Sequence, residues 1–175
     1  MAKENPAAYE GDLANTCSSY GVFCEENGKP QEAEALYREA LAIRRRLAEE
    51  NPAAYEPNLA NTCSNYGSFC ADSGKPKDAE ELYLDALEIY RRLAEENPVY
   101  RSNLASNEML LALLCKDSDH EEYLTLLRRA HDHFAERAEV SAFCAEQEKC
   151  TAQWLAKETN AGRSFFRRLF GKLKK

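Results

Sequence analysis

Glu4-Asn5-Pro6-Ala7-Ala8-Tyr9-Glu10 returns as Glu50-Asn51-Pro52-Ala53-Ala54-Tyr55-Glu56, and this doubled stretch decides the fold. From each start about 32 of 46 positions are identical, running through Glu49 and Glu95. A third, weaker copy opens at Glu96-Asn97-Pro98. Self-similarity at such a period predicts one supersecondary unit stacked several times, because a lone unit cannot bury its own apolar faces.

Inside the first copy, Leu13, Cys17, Tyr20 and Cys24 are spaced four, three and four apart, which places them on one stripe of an α-helix. Ala33, Leu36, Ala40, Ile43 and Leu47 form a second stripe. Between them lies Asn27-Gly28-Lys29-Pro30, where glycine suits a left-handed helix end and proline the opening turn of the next helix. Each copy is therefore expected to be a helical hairpin. The second repeats it with Leu59, Cys63, Tyr66 and Cys70, then Gly74-Lys75-Pro76, then Ala79, Leu82, Ala86, Ile89 and Leu93.

Tyr20-Gly21, Gly28, Ala33, Tyr37 and Ala40, matched by Tyr66-Gly67, Gly74, Ala79, Tyr83 and Ala86, stand at the spacing of the tetratricopeptide signature. The chain resembles that repeat family over about residues 4–137. Ala40-Leu41-Ala42-Ile43 and Ala86-Leu87-Glu88-Ile89-Tyr90, each leading to a basic turn and Asn-Pro, are similar to the longer repeats of kinesin light chain and its bacterial relatives. The resemblance implies an all-α, right-handed superhelical solenoid of antiparallel helix pairs. For function it implies protein or peptide binding by a non-catalytic scaffold or adaptor, since one such fold serves many partners.

The expected organisation is a repeat domain over 1–160, with repeats at about 4–49, 50–95 and 96–137 and a capping helix at 138–160, followed by a tail at 161–175. Helices are expected near 10–27, 30–49, 56–72, 76–95, 101–116, 120–137 and 138–160. The third copy departs from the pattern. Leu104, Leu111 and Cys115 keep the first stripe, but Glu108 stands where Cys17 and Cys63 stood, and an unpaired buried carboxylate is costly, so that helix is expected to be rotated or peripheral. In its second helix Ala130, rather than His131, is expected at the tight position of Ala40. Val140, Phe143, Cys144, Cys150, Trp154 and Leu155 give the capping helix its apolar side.

Composition narrows the function classes. With 44% hydrophobic and 30% charged residues, seven glycines and six prolines, the 175-residue chain reads as helix-rich and able to form a core. No apolar leader opens it and no stretch approaches the roughly 18 apolar residues of a membrane span, so a cytoplasmic location is expected. Seven cysteines without CxxC pairs read as reduced, packed thiols. Net charge is −7, and residues 161–175 carry six Lys and Arg with no acid, leaving the body near −13, which disfavours nucleic acid. His131 and His133 are two apart and do not share a helix face, Ser73-Gly74-Lys75 lacks the first glycine of a phosphate loop, and no catalytic fingerprint is present. No metal or cofactor is expected.

In the resembled family the inner wall comes from the first helix of each hairpin, which here projects Asn15, Ser18, Ser19 and Val22, then Asn61, Ser64, Asn65 and Ser68. Amides both donate and accept, so such a wall can hold an extended peptide's backbone. Asn65 stands where the family commonly places a backbone-holding asparagine, and Ser19 replaces it in the first copy. The basic residues of the carboxylate-clamp subgroup are missing.

Phe166, Leu169, Phe170 and Leu173 fall on one helical stripe, with Arg167, Arg168 and Lys172 around it. This short basic amphipathic helix has three readings: a cap folded onto the helix around Trp154, a mobile partner-binding tail, or an anchor for an anionic membrane surface that would make the chain a peripheral adaptor. The chain starts at a repeat boundary without an N-terminal cap, so self-association through that end is a further expectation.

Overall fold

The computed structural model describes the backbone of residues 6–139 and 141–170 and the side chains of 9–139 and 141–158. Among them there are helices and no strands: α1 (Pro6–Glu26), α2 (Pro30–Glu50), α3 (Pro52–Asp72), α4 (Pro76–Glu96), a 3-10 turn (Pro98–Tyr100), α5 (Arg101–Cys115), α6 (His120–Ala135) and α7 (Ala142–Phe170). They form two compact units, Met1–Tyr100 and Arg101–Lys175. Helices adjacent in sequence pack together within each, α1 on α2, α2 on α3 and α3 on α4, then α5 on α6 and α6 on α7.

The hairpin turns form for the expected reason. Gly28 and Gly74 have φ of +70° and +73°, a region that L side chains rarely adopt. Around them Gly28 N–H reaches the Glu25 carbonyl at 3.1 Å and Lys29 N–H the Cys24 carbonyl at 2.8 Å, and Gly74 and Lys75 repeat the pattern on Ala71 and Cys70. This double closure satisfies carbonyls that the helix end would otherwise orphan. Pro30 and Pro76 then open α2 and α4. α3 begins at Pro52, four residues before the expected start, because the Asn51 side chain accepts the Ala54 N–H at 3.3 Å and caps the helix directly. Only Asn51 separates α2 from α3.

Small residues set how closely the paired helices approach. Ala14, Cys17 and Ala40 are buried together, with Leu36 and Ile43 packed against them. A Cβ on Gly21 would lie 3.3 Å from Tyr37 Cζ, and one on Gly67 only 2.7 Å from Tyr83 Cε1. The first two hairpins thus each seat a tyrosine ring in a hollow left by glycine. Tyr37 also stacks on Tyr66 and packs on Phe69 of α3, with ring centroids 5.6 and 5.4 Å apart, and so ties the first hairpin to the second.

Cys17, Cys24, Cys63 and Cys70 are buried free thiols, as their stripes implied. Their stripe-mates divide by repeat. Leu59 is half-buried and Tyr66 buried on α3, but Leu13 and Tyr20 on α1 are 46% and 48% exposed. The α3 face has α2 lying on it, whereas the matching face of α1 meets no such helix among the described residues.

The second unit corrects the reading of the degenerate repeat. Glu108 is neither rotated out nor peripheral: it is buried, and His133 Nδ1 of α6 meets its Oε2 at 2.9 Å. A pairing invisible in the α5 sequence supplies the partner. Ala130 takes the tight position, clustered with Ala105, Phe134 and Cys144. Phe143, expected to be packed, is exposed apart from an edge contact with Phe134; among the described residues of α7, Cys144 and Thr151 are buried. Thr151 carries its own solution, since its hydroxyl donates to the Gln147 and Glu148 carbonyls at 2.9 and 3.0 Å. Trp154 and Leu155 are half-buried, and Val140 lies outside the described residues.

Candidate functional site

The residues expected to line a groove are found on two helices of the first unit, α1 and α3. Asn15, Ser19 and Val22 are exposed and Ser18 half-buried on α1; Asn61 and Asn65 are exposed and Ser64 and Ser68 half-buried on α3. On each helix the side chains buried in the hairpin, such as Ala14 and Cys17 or Ala60 and Cys63, occupy a different stripe, so helical periodicity alone turns this set outward.

The polar groups of this wall are not equivalent. Arg44 of α2, almost fully buried, sends Nη2 to the Asn15 Oδ1 at 2.5 Å and to the Gly11 carbonyl at 3.0 Å. Burial pulls its pKa down, against the raising influence of Tyr55 and Asp12. In the second repeat Tyr90 occupies the corresponding place, and its hydroxyl donates to Asn61 Oδ1 at 2.7 Å. Both asparagine oxygens are thereby engaged, which leaves each NH2 as the group still able to donate outward. Ser64 and Ser68 donate back to carbonyls of their own helix, Ala60 and Ser64, and Ser68 Oγ also accepts from Tyr83. Asn65 alone among the three asparagines presents an unengaged carboxamide among the described residues.

Arg44 and Tyr90 were not legible as site residues. Arg44 sits in an Arg-Arg-Arg run that reads as a solvated turn, and only the packed hairpin shows which of the three arginines turns inward. Asn15, Ser19, Thr16, Tyr20 and Phe23 together line a shallow depression on α1, so the expected wall adjoins an aromatic surface that includes Tyr20 of the apolar stripe. The tail residues stand apart. The backbone is helical through Phe170, but the side chains of Phe166, Arg167, Arg168, Leu169 and Phe170, and all of Lys172 and Leu173, lie outside the described residues, as does their expected packing around Trp154.

The glycine-seated tyrosines, the capped turns and the sequential hairpins define a class of helical repeat protein. Residues 12–92 match the tetratricopeptide repeat family. Among solved structures the chain is similar to BtubC (BKLC) from P. vanneervenii, at 19% identity and a TM-score of 0.56 over 86% of this chain. It spans 65% of BtubC's length, and at that identity the likeness concerns the fold alone. No curated protein matches the chain. Tetratricopeptide repeats mediate protein–protein interaction, and their family is typically non-catalytic.

Proposed function

We propose that the chain is a non-catalytic scaffold that holds an extended peptide segment of a partner protein along the outward faces of α1 and α3. The observation that supports this most is Asn65: an exposed carboxamide free to donate and accept, flanked by the outward amides of Asn61 and Asn15, whose oxygens Tyr90 and Arg44 engage. An amide can bridge a peptide N–H and C=O at once, while Asn15 and Asn61 add donors for carbonyls further along. Affinity then comes from backbone contacts, and selectivity from whatever side chains meet Val22 and Ser68. Screening the full-length chain on a peptide array, then titrating the best binder, tests the reading. Asn65→Ala should weaken that peptide by about 1 kcal/mol, the scale of one hydrogen bond. Unchanged affinity in both Asn65→Ala and Asn61→Ala would rule the wall out.

A second reading, a peripheral adaptor docked on an anionic membrane, draws on the helical course of α7 through Phe170, which gives the basic, phenylalanine-rich end a helical register. Among the described residues no helix is long and apolar enough to cross a membrane, so this docking would be interfacial. A cytoplasmic setting belongs to both proposals.

A further inference from the structure

We propose that Arg44 and Tyr90 are positioning residues of the peptide wall: neither touches the partner, but each holds the oxygen of one wall asparagine inward and so dictates which group that asparagine offers. The inference rests on the peptide-binding reading above. Residues 44 and 90 stand one repeat period apart, as do Asn15 and Asn61. Arginine and tyrosine share neither shape nor charge, yet both are buried, at 3% and 2% exposed, and both donate to the asparagine oxygen of the paired helix, Arg44 Nη2 at 2.5 Å and Tyr90 Oη at 2.7 Å. Filling the hairpin does not call for them. Leucine does that three residues on, where Leu47 and Leu93 are buried, and it carries none of the desolvation cost of a guanidinium. What the two side chains have in common is a hydrogen-bond donor aimed at one atom.

The chemistry of the two donors makes the two ends of the wall unequal. A guanidinium carries N–H groups and no acceptor, so a carboxamide lying against it presents its oxygen and never its NH2. The Gly11 carbonyl takes the same Nη2 at 3.0 Å, which ties the guanidinium to α1 on a second atom. Asn15 is therefore fixed as an outward donor, able to receive a peptide carbonyl but not a peptide N–H. A phenol both donates and accepts, so Asn61 can turn over and give its NH2 to the Tyr90 oxygen instead. Asn61 is thus an adjustable contact, and Asn65, one turn further along α3, is held by neither residue. A partner segment must place a carbonyl at Asn15, and it meets progressively looser demands at Asn61 and Asn65.

The test follows the side-chain amide resonances of Asn15 and Asn61 by NMR in the isotope-labelled full chain, first without peptide. Arg44→Leu should shift the Asn15 NH2 pair and raise its mobility while leaving Asn61 in place, and Tyr90→Phe should do the converse. Arg44→Tyr, which puts the second repeat's donor into the first, should keep Asn15 held. The best peptide from the array is then titrated into each protein. Arg44→Leu and Tyr90→Phe should each weaken it about fivefold, the scale of one hydrogen bond, and Arg44→Tyr should restore most of the loss at that position. Tyr90→Phe removes a single oxygen, so its circular dichroism should match the unmodified protein, and it carries the test if Arg44→Leu unfolds. Asparagine resonances that do not move in Tyr90→Phe, or that move while peptide affinity stays unchanged, overturn the proposal and leave the peptide wall standing. If no array peptide binds, the wall itself is refuted and this proposal falls with it.

Discussion

Two residue types carry tight, testable constraints. Cys63 is buried, and that burial, with Asp85 adding to it, pushes its thiol up to about 12; burial likewise raises Cys70 and Cys17. A thiol rather than a thiolate at neutral pH is a poor nucleophile. Native protein treated with iodoacetamide should label the half-buried Cys115 and Cys150 while Cys63 and Cys70 react only after denaturation, as mass spectrometry of the digest would show. The glycines set a second constraint. Gly→Ala in a helix gains about 1 kcal/mol of intrinsic propensity. At Gly67 the added methyl would press on the buried Tyr83 ring, whose hydroxyl is held by Ser68, and overpacking typically costs about 1–3 kcal/mol. Gly67→Ala should therefore destabilise in urea unfolding, whereas Gly21→Ala, with more room before Tyr37, should come out near neutral.

At the scale of elements, a part-buried hydrogen bond from His133 to the buried Glu108 links α6 to α5 beside their apolar contacts. The hydrogen bond to Glu108 is the largest influence raising the His133 pKa, with the charges of Glu108 and Glu136 adding and burial and Arg101 opposing. A histidine whose folded pKa lies above its unfolded value of 6.5 contributes stability that is complete below that value and is lost as pH climbs through the folded one. Unfolding followed through Trp154, the only tryptophan and a residue of α7, should show the second unit losing stability as pH rises above 6.5. His133→Gln keeps a donor for Glu108 and should flatten that dependence. His133→Ala strands a buried carboxylate and should cost about 3 kcal/mol near neutral pH. A pH profile identical in all three proteins would show that the pair contributes nothing to stability.

For the whole molecule, charge separation is the main physical lever. A net charge of −7 combines a body near −13 with six basic residues after position 160. If the phenylalanine-rich end caps the second unit, deleting residues 162–175 should lower the Trp154 melting temperature without lipid present. If it anchors the chain, the deletion should leave that temperature unchanged and abolish co-sedimentation with phosphatidylserine vesicles, and salt should weaken the binding of the intact chain. The two outcomes exclude each other in the lipid-free measurement.

The repeat period, the glycine at the first two hairpin turns and the small residues at the crossings were legible in the sequence, because they follow from local geometry: a positive φ needs glycine, and close helices need alanine, cysteine or glycine. The outward placement of Asn15, Asn61 and Asn65 follows from the same periodicity. Tertiary structure alone decided the rest. Which of Arg44, Arg45 and Arg46 turns inward, how Glu108 is neutralised, and why Tyr20 is open while its identical counterpart Tyr66 is closed all depend on which helix lies alongside. A residue's own sequence specifies the face it occupies on a helix; the burial of that face is a property of its neighbour.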